Sequence, residues 1–103
     1  MAAYVLRLLP DALQNPDADL RYVVPAALER HSGGTIRDDA YDYEPETSAM
    51  LLWLRSGAPD ALARILAFLA EERPLDNDLR PAASVWVDED GCLRRIWPSG
   101  SDT

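Results

Sequence analysis

The chain alternates between short runs of β-forming residues and longer stretches in which apolar residues recur at helical spacing. Tyr4-Val5-Leu6-Arg7-Leu8-Leu9 reads as a first strand closed by Pro10. Asp11 to Asp19, with Asn15-Pro16-Asp17 inside it, reads as a turn in which Asp17 or Asp19 caps the helix that follows. Leu20, Val24, Ala27, Leu28 and His31 then share one helical face up to the stop Ser32-Gly33-Gly34, which predicts a helix over about 18–32. Pro25 falls in its middle, so the pattern allows a kink there or a helix that starts near Val24.

Residues 35–44 combine aromatic and β-branched side chains with many carboxylates, the composition of a strand at a sheet edge. After a turn at Pro45-Glu46-Thr47, the nearly continuous apolar run from Ser48 to Arg55 predicts a central strand. Ser56 to Asp60 opens a second helix, whose apolar stripe is Leu62, Ile65, Leu66 and Leu69 and which ends at Pro74. Leu75 to Pro81 reads as a polar connection. Ala83 to Val87 and Cys92 to Trp97 flank Asp90-Gly91 as a hairpin, and residues 98–103 read as a frayed tail. The order strand, helix, strand, strand, helix, strand, strand predicts an α+β ferredoxin-like βαββαβ sandwich, with two helices on one face of an antiparallel sheet and an extra C-terminal hairpin strand.

Length sharpens this to one domain spanning 1–103, with an ordered core over about 3–97, since 103 residues support a single core. Charge then narrows the partners. With 18 carboxylates against 10 basic residues the formal charge is −8, which repels nucleic acid and anionic membranes and speeds the approach of a basic protein. Every basic residue is Arg, so no lysine can serve as a Schiff base or general base. Cys92 is the single cysteine and allows no internal disulfide. The apolar stretch before Pro10 is broken by Arg7 and lacks a cleavage signal, and no window is long enough to span a bilayer, so the expected location is cytoplasmic.

The same residues offer little catalytic chemistry. His31 is the sole histidine and suits the C-terminal end of the first helix. Cys92 follows three acids that disfavour its thiolate. Asp88-Glu89-Asp90-Gly91 lacks the spacing of a calcium loop, and no zinc, phosphate-loop or nucleophile-elbow pattern occurs. The expectation is therefore no catalytic residue, no metal and no cofactor.

What stands out is Asp38, Asp39, Asp42, Glu44 and Glu46, interleaved with Tyr41 and Tyr43 and free of any base. Simple alternation places Asp38, Ala40, Asp42 and Glu44 on one face of the strand and Asp39, Tyr41 and Tyr43 on the other. Such a strand is a charged edge that resists aggregation, a face that offers acceptors to Arg and Lys of a partner, or a source of paired carboxylates for acid–base work or a hard cation such as Mg²⁺. Trp53, Trp86 and Trp97 lie on predicted strands, where an exposed pair would mark a second patch.

Gly33 to Glu44, the apolar Met50 to Leu54, and Ala58-Pro59-Asp60-Ala61-Leu62 together resemble small bacterial immunity proteins of polymorphic toxin systems, over about residues 20–97. The resemblance is one of composition and order. It implies a non-catalytic, antitoxin-like protein that occludes a basic toxin such as a nuclease, and it transfers no site residues. The partner-binding residues expected from the charge pattern are Asp38, Asp39, Asp42, Glu44, Tyr41 and Tyr43. Two alternatives remain at this level: a small enzyme or ligand-binding domain using the open sheet face, and a structural domain that self-associates as a homodimer.

Overall fold

The computed structural model describes residues 2–98, so residues 99–103 of the expected tail lie outside the described residues. Strands β1 (Ala2–Leu8), β2 (Ile36–Tyr43), β3 (Met50–Ser56), β4 (Ala83–Glu89) and β5 (Cys92–Trp97) form one antiparallel sheet in the order β2-β3-β1-β4-β5. Helices α1 (Leu20–His31) and α2 (Ala61–Glu71) follow β1 and β3. The protein is thus an α+β domain with two helices and an open five-stranded sheet. No helix among the described residues is long and apolar enough to cross a membrane.

Pairing explains which side chains meet. Leu6 and Leu8 of β1 stand opposite Leu52 and Met50 of β3 and beside Val85 and Ala83 of β4. These join Leu20, Val24 and Leu28 of α1 and Ile65, Phe68 and Leu69 of α2 in one core. Both helices therefore cover the same sheet face. The α2 stripe is rotated from the one expected: Phe68 is fully buried, while Leu62 and Leu66 only flank the core.

Helix α1 runs through Pro25, which is buried, so neither a start near Val24 nor an interruption is seen. Neither Asp17 nor Asp19 caps its first turn; Asp17 Oδ1 instead accepts the Asp19 N–H at 2.8 Å. At the other end Gly34 N–H bonds Glu29 O at 2.8 Å, with Gly33 and Gly34 at positive φ. This reversal closes off the helix carbonyls and turns the chain directly into β2. Strand β3 begins at Met50, later than expected, because Ser48 adopts φ 60° and its N–H closes a turn onto Glu44 O at 2.9 Å. The hairpin turn is as expected: Asp90 and Gly91 both have positive φ.

The segment after α2 is more than a polar connection. Two 3-10 turns, Pro74–Asp76 and Arg80–Ala82, bracket Asn77, which is completely buried. Its Oδ1 accepts the Asn15 N–H at 2.8 Å, and its Nδ2 donates to Asn15 O at 2.9 Å and Pro74 O at 3.2 Å. The loop before α1 is thereby clamped to the loop after α2. Gln14 Oε1 adds a bond from Asp78 N–H at 2.7 Å.

Candidate functional site

Strand β2 forms one edge of the sheet, and seven of its eight residues are exposed, Ile36 alone being buried. Its pairing with β3 slips between Asp38 and Ala40. A bulge adds one residue to the strand and reverses the in-and-out alternation beyond it. The simple alternation expected from sequence is therefore corrected: Asp38, Tyr41 and Tyr43 lie on the helix side, opposite Leu54, Leu52 and Met50, while Ala40 and Asp42 lie opposite Trp53 and Leu51 on the open face. Asp39 joins the open face through its bond to Arg55.

The five carboxylates are not equivalent. Glu44 receives a two-pronged bond from Arg7, Nε to Oε2 and Nη2 to Oε1 at 2.8 Å each, and a bond from Thr47 Oγ1 at 2.7 Å. Asp39 is bonded by Arg55 Nε at 3.1 Å. Asp38, Asp42 and Glu46 have no basic partner among the described residues. Burial pushes the Asp38 carboxyl above its ordinary value, and the nearby charges of Glu29 and Asp39 push it the same way. A guanidinium or ammonium arriving beside Asp38 would relieve that frustration.

Hydrogen bonds from Arg7, and then from Thr47, pull the Glu44 carboxyl down to about 2 from an ordinary 4.5. Because the folded value lies below the unfolded one, ionised Glu44 favours the folded state above pH ~4.5, and that contribution disappears as the pH falls toward ~2. The stability gap between the wild type and Glu44→Gln, read as urea midpoints, should be constant near neutral pH and close over that window. A gap of the same size at pH ~2 would contradict the pairing.

On the helix side, β2 meets residues that sequence reasoning passed over. Tyr22 of α1 and Tyr41 pack edge to face at 5.7 Å between ring centres, and Tyr41 and Tyr43 at 6.2 Å. The Arg21 guanidinium lies 4.6 Å from the Tyr22 ring and 5.5 Å from the Tyr41 ring, and its Nη1 donates to Tyr43 Oη at 3.3 Å. The tyrosines remain 53%, 45% and 38% exposed in chain order. Three rings held around one cation present aromatic area whose side-chain freedom is already spent. The available signal was Tyr22 itself, a large aromatic standing off the apolar stripe of its helix.

The open sheet face carries less. Val5 pairs with Trp53 on one side and Trp86 on the other, and is almost fully covered. Trp86 is fixed by an Nε1 bond to Ser84 Oγ at 2.9 Å. Trp97 stands opposite Val85 and packs against the core, so only two of the three tryptophans share the open face. A groove of about 180 Å³ there is lined by Val5, Arg7, Glu44, Leu51, Trp86 and Leu93.

His31 sits in the last turn of α1, bonds Glu71 of α2 through Nε2 at 2.8 Å and stacks edge to face on Phe68. It ties the two helices together. Cys92 is exposed at the start of β5. Among the described residues, no group of three His, Cys, Asp or Glu side chains is placed to share a metal ion. Comparison of the chain with protein-family models, with curated proteins and with solved structures returned no match.

Proposed function

We propose that this chain is a non-catalytic binding protein whose β2 edge and adjoining α1 face receive a basic protein partner. The observation that carries this reading is the pre-ordered Arg21, Tyr22, Tyr41 and Tyr43 cluster on the same side of the edge strand as Asp38, with Asp42 on the strand's other side, both carboxylates without a counter-ion. Aromatic anchors with acceptors at their margin are what a partner rich in Arg or Lys needs, and the net negative charge favours its approach. An immunity protein that covers the active site of a toxin such as a nuclease in the cytoplasm fits these features. The strand order β4-β1-β3-β2, with both helices on one face, supports reading the first four strands as a ferredoxin-like unit to which β5 is added.

A ligand-binding or enzymatic reading that uses the open sheet face would rest on its groove. That groove is below the ~300 Å³ at which small-molecule sites begin, and its charged pair, Arg7 and Glu44, is already neutralised internally. The protein-partner reading is the stronger one.

The test is co-expression with any toxin domain encoded beside the gene, read as restored growth. The purified pair is then compared with the variant Asp38→Ala, Asp39→Ala, Asp42→Ala. Circular dichroism should be unchanged, while the association rate should fall about tenfold at low salt and by less at high salt. An unchanged rate would move the interface off β2. Failure to neutralise any neighbouring toxin would overturn the immunity reading.

A further inference from the structure

A hollow of about 440 Å³ opens where the end of β1, the loop before α1 and the turn between β2 and β3 come together. Leu8, Leu13 and Met50 form an apolar floor, and Pro10, Pro16 and Pro45 stand around it. Its volume falls within the range of about 300–1,000 Å³ typical of sites that bury a ligand. Its walls are rigid for two reasons. Prolines have a fixed φ, and the loop carrying Pro16 is held by the Asn15 to Asn77 bonds. A preformed cavity of this kind adds no ordering cost to binding.

The rim carries more acid than base: Arg21 reaches it through Nη1 bonds to Ala18 O at 3.2 Å and Tyr43 Oη at 3.3 Å, against several carboxylates. Asp17 and Glu44 border the hollow, and Asp11 and Glu46 border a neighbouring depression that shares Pro10 with it. No Arg or His lines either cavity itself. Glu44 is satisfied by Arg7, while Asp11, Asp17 and Glu46 have no basic partner among the described residues. The three unpaired carboxylates outnumber the one cation, Arg21, that reaches the rim, so its net sign is negative. An apolar group flanked by positive charge is the complementary occupant, its body on the leucines and its charges against the rim. Tyr43 lines the hollow and also belongs to the tyrosine cluster, so the two surfaces are continuous.

We propose that this hollow is an anchor site for one large apolar side chain of the basic partner, presented between Arg or Lys residues. The inference rests on the partner-binding reading above and adds to it where the partner is gripped and by what sequence chemistry.

The experiment uses the full chain labelled with 15N and three capped tripeptides as probes: Arg-Phe-Arg, Arg-Ala-Arg and Glu-Phe-Glu. Arg-Phe-Arg should shift the amides of Leu13, Asp17, Ala18, Ser48 and Met50. Replacing Phe by Ala, or both Arg by Glu, should each weaken binding at least tenfold. Ala18→Trp, which crowds the hollow from its exposed rim, should weaken Arg-Phe-Arg equally. The variant Asp11→Asn, Asp17→Asn, Glu46→Gln should do the same and remove the salt dependence, with melting temperature unchanged in both.

Shifts centred on Trp53 and Trp86, equal binding of Glu-Phe-Glu, or no localised shift at millimolar peptide would each overturn the proposal. The two readings fail separately. Loss of peptide docking, with the β2 triple variant still slowing a partner, removes only the anchor. Peptide docking with a partner indifferent to the β2 variant removes only the β2 interface.

Discussion

Phe68→Ala is expected to destabilise the fold by about 3–5 kcal/mol, the range seen when a fully buried aromatic ring is cut back to a methyl. Phe68 has no exposed surface and sits among Leu6, Leu8, Leu28, Leu52 and the rest of the single core. Its ring also meets His31 edge to face at 5.8 Å, so the cavity would undercut the contact between the two helices. A domain of this size has about 5–15 kcal/mol of stability in total, so the variant should be close to unfolding at physiological temperature. Urea titration measures the loss directly. Phe68→Leu, which keeps most of the volume, should recover more than half of it. A loss below ~1 kcal/mol for the alanine variant would mean that α2 does not pack as described.

The second large effect is expected at Asn77, and its origin is different. Asn77→Ala removes few apolar contacts but leaves Asn15 N–H without its partner, and takes one of the bonds to Asn15 C=O, which keeps Asp17 N–H, and to Pro74 C=O, which keeps the residue 77 N–H. An orphaned buried donor or acceptor costs about 1–3 kcal/mol. One donor is orphaned and two carbonyls keep a second bond, so a total of about 1–3 kcal/mol is expected by urea titration. Hydrogen exchange should locate the damage: amides near Asn15 and Leu20 should lose protection before those of β1 and β3. Asn77→Asp keeps the acceptor for Asn15 N–H but turns a carboxylate oxygen toward the carbonyls of Asn15 and Pro74 at a fully buried position, so at neutral pH it should be at least as destabilised as the alanine variant. If all three proteins unfold at the same denaturant concentration, the clamp does not hold the loop.

These two residues also mark where sequence reasoning works and where it stops. The α2 segment was legible because apolar residues three and four apart must share a helical face. Phe68 lies outside the expected stripe because periodicity fixes a face only to within the width of a side chain, and the angle at which α2 meets the sheet chooses its centre. Asn77 carried no signal at all. In a polar connection an asparagine reads as a turn residue, and its burial depends on Asn15, 62 positions away.

The candidate site divides in the same way. The acid-rich composition of residues 36–43 and its place at a sheet edge were readable, since many charges in a β-forming run are tolerated only where solvent reaches one side. The facing of those charges was not. One bulge between Asp38 and Ala40 reverses the alternation, and a bulge is a property of a pair of strands, which the β2 sequence alone does not contain. It places Tyr41 and Tyr43 with Arg21 and Tyr22 of α1, and separates Asp38 from Asp42. Glu44 looked like a free acceptor, yet Arg7, 37 residues earlier, binds both of its oxygens.

By itself, then, the sequence determined the order of the elements, the Asp90-Gly91 hairpin, the helix stops at Gly33-Gly34 and Pro74, and the acidic character of one edge. Each follows from local chemistry: backbone angles that glycine and proline permit or forbid, and the period of apolar side chains. Tertiary structure alone decided which carboxylates lack a counter-ion, which aromatic side chains gather around Arg21, and that three prolines border an apolar hollow with a mainly acidic rim. Those depend on residues far apart in the chain, brought together by strand pairing and core packing, and no rule of local sequence records the meeting.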